Sequence, residues 1–358
     1  MTEIDKLVRM SKYAGERFDL VQAGGGNSSV KLDDGIMLIK ASGCLLSDIG
    51  QEKGFSRVRN REVVNILGET DVLQMDDKRE RARRSSELLV KTVVSPSPRP
   101  SIETFMHAIL SRYVLHTHPL AVNAVTCKKD WVALLETLFS GKAAYVAYRT
   151  PGFELALELK KVVLAYEERN SREPEIIFLQ NHGLIINTDR FEDVQRLTEE
   201  VVQTVEQHLG IDLDKYKITN RVSDLVSSVA DAPVVSALCS DSELARLLKD
   251  RRELFSSFPF CPDGLVYCGM RPLEITSLDD ASPFARFREE YGDLPKVILY
   301  NNLLFFAAPS LRKAWEIEAV FKFHIMTLDL ARCDVDLLSE QELGYLSTWE
   351  AEQYRRKL

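Results

Sequence analysis

In the first eighteen positions Ile4, Leu7, Val8, Met10 and Tyr13 recur at helical spacing, which predicts a helix over residues 3–18. The run Gly24-Gly25-Gly26-Asn27-Ser28-Ser29 ends that pattern. Alternation takes over next. Residues 29–32 and 35–40 flank Asp33-Asp34-Gly35 and read as a β-hairpin that stops at Ser42-Gly43. Mixed charges over 76–88 read as a solvated helix or loop, and Pro96, Pro98 and Pro100 stiffen a connector to Ser101, the predicted N-cap of a helix over 102–112. Residues 113–118 read as a strand, with a helix from Pro119. Residues 176–179 form a second buried strand before Gln180-Asn181-His182-Gly183, and a helix follows over 190–209. Strands alternating with helices around a tight hairpin predict an α/β fold with a mixed or antiparallel central sheet flanked by helices.

The second half echoes the first. Residues 174–182 line up with 295–303, each followed by an apolar strand and a long helix, and Asp34-Gly35-Ile36-Met37-Leu38 resembles Asp263-Gly264-Leu265-Val266-Tyr267. A catalytic domain over 1–220 is expected, followed by a C-terminal α/β domain over 235–358. Within the latter, residues 235–335 read as a degenerate repeat in which Leu303 takes the place of His182.

Composition narrows the function classes. The chain has 358 residues, and 46 Lys+Arg against 54 Asp+Glu leave a net charge of −8, with no long basic block. That balance argues against nucleic acid or an anionic membrane as the main partner. Six cysteines without a CxxC pair indicate neither a disulfide scaffold nor a zinc ribbon. The charged start MTEIDKLVRM is unlike a signal peptide, and the best apolar run, 297–309, is too short to span a bilayer. A cytoplasmic protein acting on a small molecule is the expectation.

Six histidines carry most of the candidate chemistry: 107, 116, 118, 182, 208 and 324. His116 and His118, two apart at a strand end, point to one face and make half of a three-ligand metal site. His182, at another strand end, is the natural third ligand. Glu103, at the start of the preceding helix, is either a fourth ligand or a base beside the metal, its ionised form favoured by the helix dipole. His107 shares the face of Glu103 and reads as core or neighbouring packing; His208 and His324 read as structural. The glycine loop precedes a hairpin rather than following a strand, which is the wrong order for a dinucleotide fold. A single phosphate, held with the Ser42-Gly43 turn, suits it better.

Taken in order, Gly26-Asn27-Ser28-Ser29, Lys40-Ala41-Ser42-Gly43, Ser101-Ile102-Glu103, His116-Thr117-His118-Pro119 and Asn181-His182-Gly183-Leu184 resemble the class II aldolase/adducin family over residues 1–215. The resemblance implies a class II aldolase-like fold, with His116, His118 and His182 as zinc ligands (another divalent metal being an alternative) and Glu103 as the catalytic carboxylate. It implies a phosphate pocket from Gly26, Asn27, Ser42, Gly43 and Ser101, with Lys40 a weaker addition. Ile102 stands where the family has a second serine, and Tyr145 and Tyr148 are not matches for the tyrosine that protonates the leaving aldehyde. The implied activity is reversible aldol cleavage of a ketose phosphate through a metal-chelated enediolate, in a homo-oligomer, a tetramer by resemblance. Epimerisation or dehydration, or an adducin-like interaction module, are the alternatives the family allows. Residues 99–104 and the tail 338–358 are similar to the aldolase part of rhamnulose-phosphate aldolase/dehydrogenase fusions, and the chain as given stops before a dehydrogenase domain.

Overall fold

The computed structural model describes residues 1–332 and 335–348; Cys333 and the last part of the 338–358 tail lie outside the described residues. The chain divides into two units, Met1–Leu213 and Asp214–Leu358.

The first unit is built on a sheet of seven strands: β1 Asn27–Lys31, β2 Ile36–Lys40, β3 Phe55–Arg59, β4 Tyr113–Thr117, β5 Ala143–Val146, β6 Ile176–Leu179 and β7 Gly183–Thr188. Their order is β3-β2-β1-β4-β7-β6-β5, antiparallel throughout except for the β5–β6 pair. Both faces are covered, which is why IIFL has no polar residue although it alternates. Ile177 and Leu179 pack with Phe105 and Phe153 on one side, while Ile176 and Phe178 pack with Val201 and Val205 on the other.

The expected hairpin is present. Gly35 turns it at φ +85°, with Ile36 N–H donating to Asp34 Oδ1 at 3.0 Å. The first helix, Glu3–Gly15, starts from a capping box between Thr2 and Asp5. The helix after Ser101 departs from expectation: it runs only Thr104–Ala108, with Glu103 in the N-cap position. Ser101 still braces this start, its carbonyl accepting from Thr104 N–H and its Oγ from Glu103 N–H. The charged stretch forms the helix Lys78–Lys91 on an Asp77 N-cap, and it is not wholly solvated, since Leu89 packs into the core.

A buried charge pair locks the turn after the first helix. Arg17 and Asp19 are 1% and 0% exposed, and the guanidinium meets the carboxylate twice, Nε to Oδ1 at 3.1 Å and NH2 to Oδ2 at 2.5 Å. It also donates to Glu199, which accepts from Tyr13 Oη at 2.6 Å.

The second unit carries β8 Val235–Leu238, β9 Leu273–Ile275, β10 Val297–Tyr300 and β11 Leu303–Ala308, ordered β8-β11-β10-β9. The pairings are antiparallel, antiparallel and parallel, the same order and senses as β4-β7-β6-β5. Register lets the two sheets be compared position by position. The third residue of β7, Ile185, faces His116, and the third residue of β11, Phe305, faces Leu238. Two residues on stand His118 and Ser240, each just before the N-cap of the next helix, Pro119 and Asp241. Leu303 matches Gly183, not His182, because each opens its strand opposite the last residue of the one before; Asn302 therefore stands at the His182 position. The upstream echo fails: Gly264–Cys268 is a turn of π-helix, not a strand like β2.

Candidate metal and anion site

The site forms at one end of the first sheet. Asn27, the first residue of β1, pairs in register with His116 near the end of β4. His116 pairs on its other side with Ile185 of β7, and His182 lies in the three-residue turn that leads into that strand. In that turn Asn181 takes φ +52°, a left-handed conformation that asparagine tolerates. Register and turn thus bring two distant segments together. His116 Nε2 lies 3.1 Å from His118 Nε2 and 3.3 Å from His182 Nε2, and ligand atoms of the three all fall within 4.8 Å of one another.

The donor set fits a divalent metal. Tetrahedral imidazole ligands at ~2.0–2.1 Å stand roughly 3.3 Å apart, close to the observed separations. His116 Nδ1–H donates to Leu184 O at 3.0 Å, which leaves the lone pair on Nε2, facing the other two rings. Burial pushes the His116 imidazole well below its ordinary range and His118 down to about 4, so these two rings are neutral lone-pair donors at neutral pH. Three imidazoles in this arrangement can hold a metal ion.

Glu103 closes the cluster. Its Oε1 lies 3.2 Å from His182 Nε2 and 3.8 Å from His116 Nε2, and its Oε2 accepts from the Asn27 amide, which also donates to Ser101 Oγ at 3.1 Å. Burial alone would raise this carboxyl; the hydrogen bonds it takes from His182 and the Asn27 amide outweigh it and hold it below the usual carboxylate range. A five-residue helix contributes little dipole, so ionisation comes from these neighbours rather than from the expected helix end. Asn27 Oδ1 is buried without a partner among the described residues.

Beside the cluster opens a cavity of about 440 Å³, lined by Gly24–Gly26, Asn27, Ser42, Gly43, Ser101, Glu103 and His118 and walled by Leu89, Val90 and Ile102. The glycines do more than supply donors. A Cβ on Gly25 would lie 2.8 Å from His118 Nδ1, and one on Gly26, itself at φ +68°, 2.8 Å from His116 O. The loop is glycine because it passes hard against the histidine strand. A Cβ on Gly183 would sit 2.1 Å from Thr117 O and 3.1 Å from His118 Cδ2. Gly183→Ala is therefore expected to cost about 1–3 kcal/mol of stability and to weaken metal binding, read by urea unfolding and metal titration.

Other expected residues fall elsewhere. The Lys40 ammonium donates to Gly24 O and Cys44 O, bracing the loop. His107 is fully buried, bonds Ser29 Oγ at 2.8 Å and is pushed down to about 3 by burial; it packs as a neutral core residue. Tyr145 stacks on Phe178 and lines a different cavity with Glu136 and Arg169. His324 contacts Ser257 in the second unit. Sequence reasoning does not reach the three cavity-wall residues: Leu89 and Val90 follow a dense charge run, and Ile102 reads only as an absent serine. Among the described residues no helix is long and apolar enough to cross a membrane.

A family model described as Class II Aldolase and Adducin N-terminal domain matches residues 5–209. The chain is 26% identical over 226 residues to the uncharacterized oxidoreductase YuxG of Bacillus subtilis (strain 168), covering 60% of this chain and 31% of that protein; it spans about a third of the relative's length. Among solved structures, the N-terminal class II aldolase domain of a conserved protein from Thermoplasma acidophilum matches with a TM-score of 0.48 at 27% identity, covering 58% of this chain and 94% of that one. L-fuculose-1-phosphate aldolase from Thermus thermophilus matches with a TM-score of 0.36 at 18% identity, covering 57% and 94%.

Proposed function

Through residues 5–209 the chain belongs to the class II aldolase and adducin family, and from that membership we propose that it is a metal-dependent aldehyde-lyase that cleaves a ketose phosphate reversibly. One observation carries the reading: three imidazoles converge beside an ionised carboxylate at the mouth of a donor-lined cavity. His116, His118 and His182 would hold the metal, for which zinc is the first choice. When bound, a divalent ion supplies a Lewis acid for the carbonyl end of the substrate, worth several kcal/mol toward the charge that develops there.

The chain's own groups do the rest. Glu103 returns a proton to the carbon that loses its bond in cleavage and removes one there in synthesis. The Asn27 amide holds that carboxylate in place. Backbone N–H groups of Gly26 and Gly43, with the Ser42 and Ser101 hydroxyls, take the phosphate, and this remote binding energy positions the reacting carbons. The catalytic part is assigned to residues 1–220. The second unit carries Leu238, Ser240 and Asn302 where the imidazoles would stand, and is assigned as a copy without the metal site.

Purified protein is expected to carry one divalent ion per chain by elemental analysis, and ketose 1-phosphates are expected to release two carbonyl fragments until a chelator is added. Equal turnover with and without chelator excludes the lyase reading. Among the described residues no tyrosine lines the cavity, which favours epimerisation or dehydration as the second reading unless a neighbouring copy supplies the acid. Product analysis separates them, since those reactions release no second carbonyl fragment.

A further inference from the structure

The cavity wall beside the Ser42-Gly43 turn carries a guanidinium that pairs with no carboxylate among the described residues, and we propose that Arg99 is the residue that selects a phosphate monoester at this end of the substrate. The proposal deepens the lyase reading and rests on it. Two cationic side chains line the cavity, Lys40 and Arg99. Lys40 is 3% exposed and its ammonium is committed to two carbonyls, Gly24 O at 3.1 Å and Cys44 O at 2.7 Å, so it fixes the loop and has little left for a ligand. Arg99 is exposed, donates once to Ser86 Oγ at 2.8 Å, and pairs with no carboxylate among the described residues.

The backbone of Arg99 is held where it matters. Its carbonyl accepts from Ser42 N–H at 2.9 Å, and the next residue, Pro100, bridges Ala41. The guanidinium stem therefore starts beside the Ser42-Gly43 turn. The neighbouring side chain that faces the cavity, Ile102, is apolar and seats against Gly152, where a Cβ would lie 2.7 Å from Ile102 Cγ1. This wall thus offers an ion pair where it lacks a further hydroxyl. Neutral N–H and O–H groups donate to any oxygen, whereas a dianion leaving water needs an opposite charge. The guanidinium of Arg99 supplies that charge at every accessible pH. Because Arg99 is solvent-exposed, its contribution is about tenfold in affinity rather than many thousandfold.

The test is a titration of inorganic phosphate into the metal-loaded full chain, with affinity from calorimetry and location from the amide resonances of Gly24–Gly26, Ser42 and Gly43. Phosphate is expected to shift those amides in the unaltered protein. Arg99→Gln should bind it about tenfold more weakly, and Arg99→Lys, which keeps the charge, should recover to within about threefold at unchanged melting temperature. Equal affinity in Arg99→Gln and the unaltered protein overturns the role of Arg99 while leaving the lyase reading intact. If Lys binds as weakly as Gln and both lower the melting temperature, Arg99 is only a brace to Ser86 and the proposal fails. Silence of the loop amides in the unaltered protein removes the phosphate end of the lyase reading itself.

Discussion

Glu103→Gln is expected to lower kcat by about 10²–10⁴ while leaving metal per chain unchanged. Gln keeps the volume and can still accept from the Asn27 amide, so the hydrogen bond that seats residue 103 survives. It cannot take up a proton. The three imidazoles, with their ligand atoms within 4.8 Å of one another, keep the ion without help from the carboxylate. The experiment also decides between the two roles that sequence leaves open for Glu103. Loss of metal along with activity would make the carboxylate a ligand, and full activity would remove it from the chemistry. Elemental analysis and turnover on the same preparation read both.

The imidazole cluster was legible because strand geometry is short-ranged. An i, i+2 pair at the end of an apolar strand must share a face, and a histidine at the end of a neighbouring apolar strand needs only sheet pairing to join it. The β1–β2 hairpin was legible for the same reason, its Asp-Asp-Gly turn being bracketed by alternating residues. What escaped depends on partners that pattern does not name. β3, with arginines at 57 and 59, is masked by charge, and β5 has four residues and two alanines. The stretch 264–268 is an apolar run too short to distinguish a strand from a helical turn, and the structure makes it helical. Lys40, at a strand end, suggested a ligand; only tertiary structure shows two carbonyls closing on its ammonium.

The likeness of the two sheets was half legible. Matching prolines and apolar strands at 174 and 295 pointed to it, and the strand order of the second unit repeats β4-β7-β6-β5 with the same senses. Residue equivalence could not be read from the alignment, because one turn has three residues, Gln180-Asn181-His182, and the other has two, Asn301-Asn302. A one-residue difference moves the match of His182 from Leu303 to Asn302. In the second unit, Asn302 Oδ1 accepts from Arg252, which also pairs with Glu274, so the position is occupied by a polar network rather than by an imidazole.

The largest loss of stability is expected at a residue outside the cavity. Arg17→Met should cost about 3–5 kcal/mol, a large share of the ~5–15 kcal/mol that holds a typical domain. Asp19 is 0% exposed, and its two charge-assisted hydrogen bonds from Arg17 would be lost together, leaving a carboxylate without water or counter-charge. Glu199 suffers less, because it is 31% exposed at its side chain and can be hydrated. The damage should reach the site through the backbone. Leu20 O accepts from His118 N–H at 2.8 Å and Asp19 O from Leu120 N–H at 2.9 Å, so the same turn clamps the chain on both sides of Pro119. Metal affinity is therefore expected to fall with stability in Arg17→Met. Arg17→Met combined with Asp19→Leu removes both charges and should regain most of the loss, since apolar replacements of similar volume commonly match a buried pair. Urea unfolding and metal titration of the single and double variants check this. A single-variant cost under about 1 kcal/mol, in the range of exposed ion pairs, would show that the turn does not depend on the pair.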